Sequence, residues 1–192
     1  MVEPGEVLDF WLDEIGEEGW YKGGNEIDAA CTARFGAAWD EAREGGYRDW
    51  LSRPRGALAY MILTDQFPRN IHRGTALAFA TDELALSGAL IALDRGHDLR
   101  VEGLARQFFY MPFEHSESCQ AQSLAVSLFL TRMPGDGQAV KLLHARAHRE
   151  VIRRFGRFPF RNTALGRQSS PAETRFLEQE GGYGGLVERL SA

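Results

Sequence analysis

The chain has 192 residues, 44% of them hydrophobic and 26% charged, enough to bury a sizeable core in one all-helical domain over residues 1–192. A net charge of −5 and a pI near 5.6 argue against nucleic acid as a partner, because that footprint requires many neutralised phosphates. The opening MVEPGEVLDF has no basic segment leading into an apolar run, and no apolar stretch approaches about 18 residues; neither a signal peptide nor a membrane partner is expected, and the expected location is cytoplasmic.

Helical periodicity dominates from the start. Val7, Leu8, Trp11, Leu12 and Ile15 form one apolar face, ended by Gly16. Asn25 is placed to cap a helix carrying Ile27, Cys31, Arg34 and Phe35. The tryptophans at 11, 20, 39 and 50 have the spacing of packed core residues. Pro54 suits the first turn of a helix that runs through Ala57 to Gln66 and stops at Pro68. Thr81 is expected to cap a helix over 82–94, with Asp82 and Glu83 favourably placed at its start and Gly96 beyond its end. Val101 to Met111 is expected to stop at Pro112, and Ser116 to cap a helix over 117–132. Gln138 to Phe155 is the longest helix. Ser170, Pro171 and Glu173 spell a capping box for a last helix near 171–179. No stretch alternates as a strand does. The fold class is all-α, with about eight or nine helices.

Cys31 and Cys119 are too few for a disulfide framework and are expected as buried reduced thiols. The charge is segregated. Residues 1–49 hold 13 acids against 4 Lys or Arg, whereas Lys141 to Arg175 holds 9 basic residues against Glu150 and Glu173. A basic segment in an acidic protein suits an anionic metabolite or the chain's own acidic half.

Several polar residues fall on apolar faces when each helical residue is turned by about 100°. Asp65 lies about 20° from Leu58, inside the stripe of a helix apolar almost all round. A buried carboxylate there needs a partner, with Arg69 nearby and Arg157, Arg161 or Arg167 as distant candidates. Pro68 is expected to end the helix, so that Gln66 at its tail and Arg69 and Asn70 beyond it project from a loop. Glu117 projects to the packed side of its helix, just after Glu114 and His115. His144 and His148 look inward from the long helix. A pair four residues apart could share a metal, but HARAH lacks the glutamate of HExxH, so neither metal nor cofactor is expected. Arg157, Arg161 and Arg167 cluster around Phe158, Pro159 and Asn162, and guanidinium suits a bidentate grip on carboxylate or phosphate. No phosphate-binding glycine loop, nucleophile elbow or paired CxxC occurs.

LTDQFPRNIHRGTALAFATDELAL, FFYMPFEHSE and HREVIRRFGRFPFRNTALGRQSSPAETRFL resemble the three blocks of the bacterial family called domain of unknown function 924. VLDFW and WYKGGNEID with ARFG resemble its N-terminal part. The resemblance implies an array of tetratricopeptide-like helical hairpins, with no established activity. It carries the family's polar positions onto Asp65, Gln66, Arg69, Asn70, Glu114, His115, Glu117, Arg157, Arg161, Asn162 and Arg167. One position departs: the family commonly has histidine between Pro and Arg of the third block, and this chain has Phe160.

Two functional expectations follow. In the first, both Phe-Pro turns face one pocket holding an anionic small molecule, with His115 or His148 able to transfer protons in hydrolysis or group transfer on a phosphorylated or carboxylated metabolite. In the second, the helices form a scaffold for a peptide or protein partner, and the polar network is purely structural.

Overall fold

Three helices begin on a proline, Pro4, Pro54 and Pro171, at positions where a missing amide leaves no intrahelical bond unmade. The computed structural model describes residues 1–191, with Asp136 through its backbone alone. Among these residues it contains eleven α-helical segments and no strand. The protein is all-α, as its periodicity predicts. The chain divides into two compact units, one covering Met1–Pro112 and one beginning at Phe113.

In the first unit, α1 (Pro4–Leu8) widens into a π-helical turn, Asp9–Ile15, and is followed by α2 (Gly16–Gly19) and α3 (Asn25–Arg43). Gly24 rather than Asn25 is the capping residue of α3. After a 3₁₀ turn at Arg48–Ser52 come α4 (Pro54–Met61), a second π turn (Ile62–Gln66), α5 (Phe67–Ile71) and α6 (Asp82–Asp94). The core is aromatic. The Phe67 ring stacks on Phe35 at 4.6 Å and meets Phe10 and Trp11 edge-on. Trp11, Trp39 and Trp50 are buried, and half-buried Trp20 packs edge-on against Phe108 while its indole N–H donates to the Trp11 carbonyl at 2.7 Å.

Pro68 does not end the helix as the sequence suggests. It sits in the first turn of α5, because the preceding π turn widens the coil and accommodates a ring that would clash in a regular helix. The carbonyl that the missing Pro68 amide would have served belongs to Thr64. It accepts instead from the Thr81 hydroxyl at 2.6 Å, and that hydroxyl accepts from the Trp39 indole at 3.1 Å. Thr81 is therefore the N-cap residue of α6, as expected, but its hydroxyl supports the π turn instead of the first amides of α6.

Helix α6 packs against α4 at Gly88, where an added Cβ would stand 2.6 Å from Met61 Cε. The stretch Ala76–Asp94, with a mean hydropathy of 1.6, is by length and composition apolar enough to cross a membrane, contrary to the sequence expectation. Ala85, Gly88, Ala89 and Ala92 of α6 are buried inside the protein unit.

The expected helix over 101–111 is a 3₁₀ segment, Leu104–Phe109, and Pro112 lies inside the next helix, α7 (Met111–His115), at a position that tolerates proline. In the second unit, α8 (Cys119–Thr131) and α9 (Gly135–Phe155) pack as a hairpin, and α9 ends on Gly156 in the left-handed conformation with φ 70°. The true cap of α8 is Ser118, not Ser116, which leaves Glu117 outside the helix. The Gln122 amide explains the delay: it donates to the Glu114 and Ser116 carbonyls and holds 116–118 off the helical path between α7 and α8. Cys31 is buried as expected, whereas Cys119, at the start of α8, is exposed.

The capping box at Ser170 forms as predicted and opens α10 (Pro171–Glu178). A further helix, α11 (Gly182–Ser191), follows where none was expected. Its glycines disfavour a helix by about 1 kcal/mol each, and burial of Leu186 against Ala147, Val151, Ile152, Phe158 and Phe176, with Tyr183 and Val187 packed beside it, offsets them.

Candidate functional site

The predicted site residues divide between the units, with Asp65, Gln66, Arg69 and Asn70 in the first and the remainder in the second. In the first unit the π turn aims Asp65 inward, and it is fully buried as the helical projection requires. Its carboxylate accepts from Gln66 Nε2 at 2.5 Å and from Arg69 Nη2 at 3.3 Å. Arg69 also binds Asp82 at 2.7 Å and the Ala78 carbonyl at 2.9 Å, so this guanidinium ties α5 to the start of α6. Asn70 and Arg73 converge on Asp28 of α3, with Arg73 holding both carboxylate oxygens at 2.7 and 2.8 Å. Arg73, outweighing the cost of burial, holds the Asp28 carboxyl below its ordinary range. Gln66, Arg69 and Asn70 are thus helical residues with structural partners, not loop residues.

In the second unit Glu117 is the anchor of the Arg-Phe-Pro-Phe-Arg-Asn turn. It accepts from Arg167 at 2.7 and 2.9 Å and from the Phe158 amide at 2.8 Å. Arg167 also donates to Asn162 Oδ1 and the Phe158 carbonyl. Burial pushes the Glu117 carboxyl up, but Arg167, the Phe158 amide and Arg161 together bring it below its usual range. Arg157 binds Glu173 with both arms at 2.6 and 2.8 Å, and the Glu173 carboxyl falls to about 2. Arg161 is buried; it lies 4.5 Å over the Phe158 ring and donates to the His115 carbonyl at 3.0 Å.

Beside this frame stands a different kind of cluster. Glu114, buried at the end of α7, meets His148 Nδ1 at 2.7 Å. Desolvation alone would raise the Glu114 carboxyl, yet His148, His115 and His144 together hold it low. His144 is one helical turn before His148, and burial lowers its imidazole below the ordinary value. The Tyr183 hydroxyl lies 2.9 Å from His144 Nδ1 and 3.0 Å from His148 Nδ1. Burial pushes the Tyr183 phenol up, so it stays protonated. Neither imidazole Nε2 has a hydrogen-bond partner among the described residues. Among those residues no group of three His, Cys, Asp or Glu has the spacing to hold a metal ion.

The sequence reading missed Tyr183 and Gln122. Tyr183 lies in a glycine-rich stretch with no helical signature. Gln122 is recognisable only once Glu114 and Ser116 are seen to offer it their carbonyls.

A family model described as "Bacterial protein of unknown function (DUF924)" matches residues 7–181. The chain belongs to that family. Every polar position discussed above except Tyr183 falls within the matched span of the DUF924 family. A solved structure similar to this chain is "Structure of Protein of Unknown Function ATU0120 from Agrobacterium tumefaciens", at 39% identity and a TM-score of 0.85, covering 92% of this chain and 97% of that one. No curated protein matches. Where the resemblance to the DUF924 family implies a histidine, this chain has Phe160, 43% exposed, stacked on Phe158 at 5.1 Å and edge-on to Tyr183 at 6.0 Å.

Proposed function

We propose that the protein binds a small anionic molecule in its second unit and moves a proton there, with His148 as the base and Glu114 as the group that orients it. The reading is carried by one observation: His148 Nδ1 is held at 2.7 Å by a buried carboxylate while its Nε2 has no partner among the described residues. A carboxylate on one imidazole nitrogen fixes the ring and stabilises the imidazolium formed when the other nitrogen takes a proton. The proton passes from a substrate or water O–H to His148 Nε2, and Glu114 remains ionised throughout.

The ligand is taken to be anionic because nitrogen donors outnumber carboxylates around this point. His115, His144 and His148 surround Glu114, and Arg161 reaches the His115 carbonyl. Arg157 and Arg167 frame the turn, with their guanidinium arms already on Glu173 and Glu117.

A thermal-shift series with citrate, inorganic phosphate and a panel of phosphorylated and carboxylated metabolites tests the reading. At least one should raise Tm in the wild type, and His148→Gln or Arg161→Ala should abolish that rise. A response unchanged in both variants overturns it.

The second reading is a helical scaffold for a protein partner, with the polar residues serving architecture. It is favoured by the two-armed pairs Arg167–Glu117 and Arg157–Glu173. It predicts no metabolite response in the wild type.

A further inference from the structure

Three oxygens stand within hydrogen-bond distance of His148 Nδ1: Glu114 Oε1 at 2.7 Å, the His144 carbonyl at 3.0 Å and the Tyr183 hydroxyl at 3.0 Å. Two of them, an ionised carboxylate and a carbonyl, can only accept. A lone pair on Nδ1 would face both, so this nitrogen must carry the proton and Nε2 the lone pair. That assignment constrains Tyr183. Its hydroxyl proton cannot go to a protonated Nδ1, and the nearest remaining acceptor is His144 Nδ1 at 2.9 Å, ahead of the His144 carbonyl at 3.5 Å. His144 Nδ1 then holds a lone pair, and the proton of the neutral ring sits on Nε2.

We propose that Tyr183 is a positioning residue that fixes His144 in the tautomer opposite to the one Glu114 and the His144 carbonyl impose on His148, so that one turn of α9 offers a proton acceptor at His148 Nε2 and a proton donor at His144 Nε2. The pair takes a ligand bearing a hydroxyl, or a water, on the acceptor and an anionic oxygen on the donor; hydroxy acids and phosphate monoesters have that pattern. The other groups facing the pair are consistent with it. Burial disfavours a charged His144 and outweighs Glu114, which favours it, with Lys141 acting in the same direction as burial; Phe158 is edge-on to the His148 ring at 5.5 Å, and the His115 ring is 6.2 Å from that of His148. The chemical use of the pair rests on His148 being the base, but the tautomers themselves do not.

Imidazole nitrogen and carbon-bound proton correlations in ¹⁵N-labelled full-length protein read them directly, at about pH 8, above the ordinary imidazole titration. In the wild type, His148 should show a protonated Nδ1 and His144 a protonated Nε2. In Tyr183→Phe, His144 should relax to a tautomer mixture while His148 keeps its proton on Nδ1. Matching tautomers in the wild type, or a His144 spectrum unchanged by Tyr183→Phe, overturns the proposal. Because no ligand is added, the result is independent of the metabolite screen. Opposite tautomers without any metabolite response would leave the tautomer assignment standing and remove the catalytic reading.

Discussion

Glu117 and Arg167, separated by 50 positions in sequence, face each other through two parallel N–H···O contacts of 2.7 and 2.9 Å. The same carboxylate holds the Phe158 amide, so one acid positions the entire third-block turn. Arg167→Lys keeps the charge but loses the planar fork. It should lower stability by about 1–2 kcal/mol, measured by urea unfolding. A double-mutant cycle with Glu117→Gln should then show coupling, and strict additivity would count against the pair as the anchor.

Thr81 supports the π turn below Pro68 by donating to the Thr64 carbonyl at 2.6 Å. Thr81→Val keeps the shape and removes the donor, leaving a buried acceptor unpaired. A loss of about 1–3 kcal/mol is expected, with Thr81→Ser retaining most of the stability. Equal stability of the two variants would show that the hydroxyl is immaterial.

Acid should weaken the protein through its paired carboxylates. Glu173, at about 2 in the folded chain, has an ordinary value of 4.5, so the folded state binds its proton less readily than the unfolded state does. Its contribution is complete above 4.5 and is lost as pH falls toward 2. Glu114, Glu117 and Asp28 are depressed as well and act in the same direction. Tm should fall across that window. Glu173→Gln should flatten part of the fall and cost about 1–3 kcal/mol at neutral pH through the lost charge facing Arg157 and the weakened cap.

Phe160 is exposed enough to accept change. Phe160→His, the residue the family resemblance implies, should alter stability by less than about 1 kcal/mol. It places a further imidazole against Phe158 and near Tyr183, so it should shift the His144 and His148 resonances. Unperturbed resonances would separate this position from the imidazole cluster.

Much of the fold is legible in the primary structure because helical signals are local. The three-four spacing of apolar residues, prolines in first turns and the Ser170 capping box each act within a few residues, and each corresponds to a helix in the structure. The inward turn of Asp65 was also legible, since a helical projection needs only the angle per residue. The errors cluster where a distant group overrides a local signal. Pro68 reads as a stop, but Thr81 from outside the helix supplies the donor for the carbonyl left by its missing amide. Ser116 reads as a cap, but Gln122 takes its carbonyl and moves the helix start to Cys119. The glycines around Tyr183 read as loop, and only the apolar pocket that receives Leu186 makes them helical.

By itself, then, the sequence determined the helical class, the helix starts at Pro54, Asp82 and Pro171 and the inward turn of Asp65, because these depend on backbone angles and neighbours a turn away. Tertiary structure alone decided which acid meets which base: Glu173 rather than a ligand on Arg157, Glu117 on Arg167, and Glu114 with Tyr183 around His148. Any of the arginines could have satisfied any of the acids by charge. Distance and hydrogen-bond direction select among them, and both come into being only when segments far apart in the chain are packed together.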